Sequence, residues 1–427
     1  MTMKTNTRWI MMGLIIILVL INYIDRSAIA YAVGPISKTF DISPEQWGFI
    51  SGAFSIGYLV VAFMSGALVD RFGPKKLLTI AVIVWSLASA CTVVASTFTA
   101  LFVVRILLGV GEGPGFPAAT RATSRWLPKG ERGLVLSLIG GAGVAGSLLI
   151  GGPIATQLIL AVGWQGMFFI LSAAGFVWLV LWLMMFKDDP ASHGGTNAGE
   201  RQFIAAGQTA EERQVLKARP EPAAIFGNVT LWMVALGFFC WGYIFFGLMY
   251  WLPGYLAHTY SLNLASVGWF SVIPWACGIV GSLIGGTIMD TISRRTGKMR
   301  PTYIVMGIAV FLSGASMIPV FLFHSLGISI TFISLGVGFG FVTAGFWWVG
   351  SIEACPDQPG FAAGLVDACF GVSGIVAPII MGFIVQRTGS FQNGFLVMFA
   401  VALIGAAGLV LFTRERSSLL SVSKHLT

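Results

Sequence analysis

Charge is scarce in this 427-residue chain: Asp, Glu, Lys and Arg make up 10% of it, against about a quarter in ordinary soluble domains. That shortage excludes a soluble protein and an intrinsically disordered one, both of which rely on solvated charge. Histidine is rarer still, with four residues. The five cysteines stand in or beside apolar segments with no close CxxC or HxxxH spacing, so neither a metal site nor a disulfide framework is expected. Polar alternation is missing too. Runs such as Trp9 to Ile24 and Phe168 to Phe186 are apolar on nearly every face, which excludes the two-residue period of a transmembrane β-barrel. What is there is 56% hydrophobic residues, 54 glycines and a mean hydropathy of +0.86, the signature of an all-α polytopic membrane protein.

Apolar windows bounded by charge and turn residues predict helices over 9–32, 45–67, 77–95, 99–121, 133–160 and 165–186, and again over 228–257, 266–290, 301–323, 326–350, 361–385 and 391–412. Twelve transmembrane helices result, in an N-terminal six-helix half (1–190), a cytoplasmic central linker (191–225) and a C-terminal six-helix half with a short cytoplasmic tail (226–427). The net charge of +8 does not point to nucleic acid, because the basic residues sit in short clusters between apolar runs. With both termini cytoplasmic, 21 of the 25 Lys and Arg residues fall inside and only Lys38 and Arg387 outside, with Arg26 and Arg105 within spans. That asymmetry fixes the orientation. The basic start and Ala28-x-Ala30 of the first span imitate a signal peptide, but Asp25 and Arg26 interrupt its apolar end and many spans follow, so the segment is read as retained. The sequon Asn228-Val-Thr230 is then cytoplasmic or intrahelical, a chance match.

An internal repeat supports two halves. Gly66-Ala-Leu-Val-Asp70-Arg71-Phe-Gly73-Pro-Lys75-Lys76 follows the second helix, and Gly286-Thr-Ile-Met-Asp290, with Arg294, Arg295, Gly297 and Lys298, follows the eighth. Gly143-Val-Ala-Gly146 and Gly371-Val-Ser-Gly374 form a weaker echo, each followed by a proline. Repeated six-helix halves with a site between them near the midplane are an architecture of secondary transporters.

The Gly66 to Lys76 loop resembles the GxxxDRxGxK signature of the major facilitator superfamily, over essentially the whole chain. Within it, Asn22-Tyr23-Ile-Asp25-Arg26 and Arg105-Ile-Leu-Leu-Gly109-Val-Gly-Glu112-Gly113-Pro114-x-x-Pro117 are similar to motifs of the anion:cation symporter family, which holds bacterial proton-coupled importers of sugar acids such as galactonate, glucarate and hexuronate and of aromatic and other organic carboxylates. The resemblance implies import of a small organic carboxylate by proton symport with alternating access. The alternative is an anion exchanger or exporter of the same fold, since midplane cations do not fix direction. It also implies that Gly66, Asp70, Arg71, Gly73 and Lys75 form a conformational latch with neighbouring helix ends, favouring the outward-facing state.

The residues themselves carry part of this. Ionisable side chains within the bilayer are expensive and are functional candidates by default. Here they are Asp25, Arg26, Arg105, Glu112 and Asp367. Arg105, Gly109 and Glu112 recur at spacings of four and three, on one helix face over roughly 10 Å. Asp25 and Arg26 are about 100° apart around a helix and cannot face one point. Arg26 is therefore expected in the cavity, forking a substrate carboxylate as guanidinium can and ammonium cannot, with Arg105 assisting. Asp25 and Glu112 are the expected proton-coupling pair. The competing reading is a static network in which both acids only neutralise the arginines.

Tyr23, Tyr58, Tyr243, Tyr250, Trp348 and Asp367 are candidate cavity walls, an aromatic with one donor being suited to an oriented organic anion. Tyr58 and Trp348 match ligand positions of sugar-acid members. Two departures from those members stand out: Gly143 where a helix 5 amide is usual, which points to a less hydroxylated or bulkier carboxylate, and Asp367 where an Asn is usual. Asp367 can serve a substrate hydroxyl, a further proton or a cationic group. No nucleophile–base pair or cofactor motif has suitable spacing for an enzyme, and no histidine lies mid-span. Expected partners are the organic anion, protons and membrane lipid, with no nucleic acid, cofactor or metal; the expected state is a monomer in a bacterial inner membrane.

Overall fold

The computed structural model describes residues 5–206, 227–296, 298–356 and 358–414. The expected linker from 207 to 225, the tail beyond 414 and Asp357 lie outside the described residues. Every regular element among the described residues is helical. Ten helical stretches are long and apolar enough to cross a membrane, and two of them, Pro44–Thr92 with 49 residues and Gly130–Met185 with 56, are more than twice the length that a bilayer needs. Each double stretch reverses at one glycine with left-handed backbone, Gly73 (φ 79°) and Gly163 (φ 76°). Twelve crossings follow: α1 Thr7–Tyr31, α2 44–72, α3 74–92, α4 Phe98–Trp126, α5 130–162, α6 164–185, α7 Val229–Tyr260, α8 Leu264–Thr296, α9 Arg300–Leu322, α10 Leu326–Ala354, α11 Gly360–Thr388 and α12 Gln392–Phe412.

The sequence pattern predicts a loop over 68–76. In the structure helix continues to residue 72 and restarts at Pro74. A glycine supplies the positive φ at little cost, and proline is tolerated in a first helical turn because its missing N–H has no partner there. Gly73 is required twice over, because a Cβ on it would lie 2.6 Å from the Asp188 carboxylate. That carboxylate accepts from the Lys75 backbone N–H at 2.8 Å and so caps the start of α3 from beyond the end of α6. Other helix starts are capped locally. Ser43 and Gln46 form a reciprocal capping box at α2, Thr97 caps α4, and Asn228 caps α7 while donating to the Ala354 carbonyl. The supposed sequon is thus a helix cap.

Lipid offers helices no hydrophobic reason to associate, so small residues that allow close backbone approach carry the packing. A Cβ on Gly57 would stand 2.0 Å from the Ile106 carbonyl oxygen, and one on Gly109 2.0 Å from that of Phe54, so α2 and α4 touch backbone to backbone. Gly111 meets the Trp85 backbone of α3 in the same way. Between halves, α2 meets α11 through Gly48 against Pro378, Gly52 against Ile375 and Gly382 against Pro44. On the adjoining seam Gly268 of α8 meets Thr156 of α5. These inter-half contacts lie at the end of the bundle away from the basic clusters. Near the basic end, closure is thinner: Phe116 of α4 stacks on Trp348 of α10 with centroids 5.6 Å apart, and Gly141 of α5 faces Ser282 of α8.

At the basic end a short helix after α6, Ala198–Ala206, is fixed beneath α1. The buried Glu200 accepts from the Thr5 hydroxyl at 2.5 Å and from the Arg8 backbone N–H at 3.1 Å. Arg8 also pairs with Glu131 at 2.9 Å and with Glu200 at 3.2 Å. Burial pushes the Glu200 carboxyl up, but the Thr5 and Arg8 hydrogen bonds outweigh it and leave the group below its ordinary value. A depressed carboxyl contributes stability above its unfolded value and loses it as pH falls through the folded one.

Two outcomes follow. Gly109→Val should force α2 and α4 apart and lower stability by about 1–3 kcal/mol, the usual cost of overpacking; a thermal melt in detergent unchanged from wild type would refute that packing. Glu200→Gln at neutral pH should raise hydrogen exchange over 198–206 by about tenfold or more, as for a lost charge-assisted bond. Wild type should reach the same exchange behaviour only on acidification below the ordinary glutamate range, with exchange rates corrected for the intrinsic effect of pH.

Candidate functional site

A cavity of about 850 Å³, counting the space at its mouth, lies between the two sets of six helices. From the first set come Asn22, Tyr23 and Arg26 of α1, Tyr58 of α2, Glu112 and Phe116 of α4, and Ile139, Gly140 and Val144 of α5. From the second come Phe238, Trp241 and Phe245 of α7, Trp347 and Trp348 of α10, and Asp367 and Phe370 of α11. Most of the polar groups cluster on the first side; rings dominate the other, with the Asp367 carboxyl among them.

Arg26 is 3% exposed and Glu112 1%. The Arg26 guanidinium donates from Nε to Glu112 Oε2 at 2.9 Å, with Nη2 2.8 Å from the same oxygen in the ion pair, and Nη2 donates to Asn22 Oδ1 at 3.1 Å. Three rings surround the cation, Tyr23, Phe54 and Tyr58, with centroids 4.4, 4.5 and 5.1 Å from Cζ. Asn22 lies one turn before Arg26 on the same α1 face, and the close α2–α4 contact at Gly109 holds Phe54 and Tyr58 against it. Glu112 Oε1 has no hydrogen-bond partner among the described residues.

Asp25, 1% exposed, turns away from the cavity and accepts a 2.8 Å hydrogen bond from Ser89 of α3. The different directions of Asp25 and Arg26 follow from their 100° separation. Arg105 is buried beside Phe54 and the Tyr250 ring, and its Nη2 lies 3.4 Å from the Tyr250 hydroxyl. Its Nε and Nη1 have no hydrogen-bond partner among the described residues. Neither Arg105 nor Tyr250 is among the residues lining the cavity, nor is Tyr243; Tyr23, Tyr58, Trp348 and Asp367 are. On α5 a single π turn over Leu138–Ala142 places Gly140 and Val144 at the cavity rather than Gly143. The absence of a side-chain amide there holds for those residues as well.

Around the expected latch, Asp70 pairs with Arg121 of α4 at 3.2 Å, Arg71 packs over Phe72, and Lys75 Nζ donates to the Leu183 carbonyl at 3.0 Å. Arg125 approaches the α3-capping Asp188 at 3.9 Å. These partners all come from the first six helices or, for Asp188, from just past the end of α6. A Cβ on Gly66 would meet nothing within 4 Å, and the structure offers no packing reason for that glycine.

Sequence reasoning missed Ser89, Asp188 and most of the ring wall. Ser89 and Asp188 are brought in by tertiary contacts that no local spacing announces. Phe238, Trp241 and Phe245 do recur at helical spacing, but among 33 Phe and 14 Trp nothing separates a cavity stripe from a lipid-facing one. Phe116 stands inside the quoted Gly113 to Pro117 motif and was legible there.

The sequence pattern described as Major Facilitator Superfamily matches residues 15–352. A probable sulfoacetate transporter of Cupriavidus necator is 31% identical over 95% of this chain and 94% of that protein. A hexuronate transporter of Bacillus subtilis is 29% identical, covering 92% of both, and a probable galactarate/D-glucarate transporter of Escherichia coli is 29% identical over 94% of this chain and 92% of its own length. Among solved structures, a bacterial homologue of the human lysosomal transporter Spinster, inward-facing and unoccupied, superposes with a TM-score of 0.74 at 16% identity, over 96% of this chain and 97% of that one. With its twelve crossings, its repeated Gly66 and Gly286 loops and a cavity between the halves, the chain belongs to the major facilitator superfamily.

Proposed function

We propose that this membrane transporter imports a small organic carboxylate together with protons, by alternating access. The observation that carries the reading is the Arg26–Glu112 pair in the cavity wall. A substrate carboxylate and the Glu112 carboxylate compete for one guanidinium. Proton uptake by Glu112 frees Arg26 to fork the substrate; departure of the substrate lets Glu112 ionise and re-form the pair. Proton and anion binding are thereby linked through a single cation.

The charge count points the same way. Asp25, Glu112 and Asp367 against Arg26 and Arg105 sum to −1 when all are ionised, so an anion entering this low-dielectric space is repelled unless carboxyls take up protons. A plain exchanger has no need of the surplus acid. Asp25, bonded to Ser89 behind the cavity, serves as a second proton site, with Arg105 and Tyr250 passing its charge state to the Arg26 region. Sulfoacetate, hexuronate and galactarate/glucarate, named for the relatives, are all carboxylates.

The halves at 1–190 and 226–427 rock about the site, joined by the linker 191–225. The glycine seams at α2–α11 and α5–α8 form the outer closure, and the Phe116–Trp348 stack is the inner gate. Gly66, Asp70, Arg71, Gly73 and Lys75 act as the latch, exchanging partners as the inner side closes. A monomer in a bacterial inner membrane with cytoplasmic termini fits the basic clusters.

Four outcomes test this. Proteoliposomes holding a pH dye should acidify in a protein-dependent way when given the transported carboxylate; exchange of preloaded anion with no acidification would remove the symport. Arg26→Lys should weaken substrate binding by roughly 30-fold or more, since the lost fork is worth about 2–3 kcal/mol, whereas Asp70→Asn should slow transport with binding within about twofold of wild type. Glu112→Gln should keep anion exchange but lose proton-driven accumulation. Accumulation intact in that variant would leave Glu112 a structural counter-ion.

A further inference from the structure

The cavity is chemically lopsided. Asn22, Tyr23, Arg26, Tyr58 and Glu112 put its hydroxyl, amide and guanidinium groups and one carboxyl on α1, α2 and α4, and much of that capacity is already spent in the Arg26 network; the facing side adds the donor-only indole N–H groups of Trp241, Trp347 and Trp348 and the Asp367 carboxyl. Four rings of the facing wall form a nearly parallel pile, and Trp348 stands edge-on to it, 77° from the Phe238 plane. Phe370 stacks on Phe238 (4.5 Å, 15°) and on Trp241 (5.4 Å, 20°), and Phe238 stacks on Trp347 (4.9 Å, 26°). The α5 contribution is Ile139, Gly140 and Val144, none with a polar side-chain atom. One carboxyl, Asp367, interrupts the apolar wall.

A polyhydroxy acid is poorly served by such a wall. Each hydroxyl drawn out of water against rings and aliphatic groups loses a hydrogen bond, at roughly tenfold or more in affinity apiece, and a hexonate carries five of them. A planar ring gains instead. It buries its whole face, adds offset or edge contacts with aromatic neighbours, and leaves few polar atoms to satisfy. Phe116 of α4 supplies a ring from the other half and stacks on Trp348, 19° between planes, so aromatic side chains reach the cavity from both halves. A ring without substituents would cover the half-buried Asp367 without offering it a donor, which is costly for a carboxyl drawn out of water.

From this juxtaposition of one guanidinium pole, a stacked ring wall and a lone carboxyl, we propose that the substrate is an aromatic monocarboxylate carrying a hydrogen-bond donor on its ring. The carboxylate goes to Arg26, the ring to the Phe238–Phe370–Trp348 wall and the ring hydroxyl or amino group to Asp367. This rests on the carboxylate reading above and narrows it.

The test is equilibrium binding to the purified full-length protein in detergent, by calorimetry, paired with counterflow of labelled compound in proteoliposomes. The probes are benzoate, 4-hydroxybenzoate, 3-hydroxybenzoate, 4-aminobenzoate, D-galactonate, D-glucarate and sulfoacetate. A hydroxy- or aminobenzoate should bind about 100-fold tighter than either sugar acid and about tenfold tighter than benzoate. Asp367→Asn should shrink that tenfold preference to about twofold while benzoate binding stays, and Trp348→Ala should weaken all ring acids by tenfold or more. Tighter binding and counterflow of a sugar acid or sulfoacetate would overturn the aromatic assignment and leave carboxylate transport standing. Equal affinities for benzoate and its substituted forms would overturn the role given to Asp367. Failure of every carboxylate to bind or move would overturn this inference and the functional reading together.

Discussion

One buried cation organises the centre of this molecule. A guanidinium deep in a helical bundle survives only if its charge and its donors are met, and Arg26 meets both through Glu112, Asn22 and three surrounding rings. Stripping the partner from a buried pair costs about 3–5 kcal/mol, enough to dictate where α1, α2 and α4 stand. The glycines between α2 and α4 are explained by that demand. Without the backbone contact at Gly57 and Gly109, Phe54 and Tyr58 would retreat from the cation and the ion pair would face a looser, wetter space. Packing and chemistry are therefore one constraint here, expressed on a single helix pair.

Much of the fold was written in hydropathy and charge, because twelve apolar segments and a strong bias of Lys and Arg need no tertiary information to be read. The turn at Gly73 was not fully legible. Its Gly-Pro pair looks like an ordinary loop, and only the Asp188 carboxylate, more than a hundred residues away, explains why the helix reverses in a single residue. At the site, the five intramembrane charges were conspicuous against an apolar background. Helical spacing correctly separated Asp25 from Arg26. It could not say that Arg105 and Tyr250 stand back from the cavity, since residues 105 and 112 share a face but sit at different depths. The ring wall was hidden for the opposite reason, aromatic residues being too abundant for any of them to stand out.

The two halves repeat in sequence, but their inner surfaces have diverged in character. The loops after α2 and α8 keep the same Gly, Asp, Arg and Lys pattern, at equivalent places in the two sets of six helices. The cavity faces differ in chemistry. One holds an ion pair; the other offers ring surface, indole N–H groups and a single acid. A space between such faces matches an amphipathic shape, with charge at one end and ring surface at the other.

The seam between α2 and α11 is built from glycine and main-chain carbonyls, with Gly48, Gly52 and Gly382 set against Pro378, Ile375 and Pro44. Interdigitated side chains behave as cogs, and parting them means turning rotamers out of their holes. Smooth backbone surfaces behave as a plain bearing, with attraction that is short-ranged and falls away together along the whole contact. Such a joint holds firmly while closed yet has no teeth to disengage. In the proposed rocking of the halves, the pace of opening is then governed by what sits in the cavity rather than by friction at the rim.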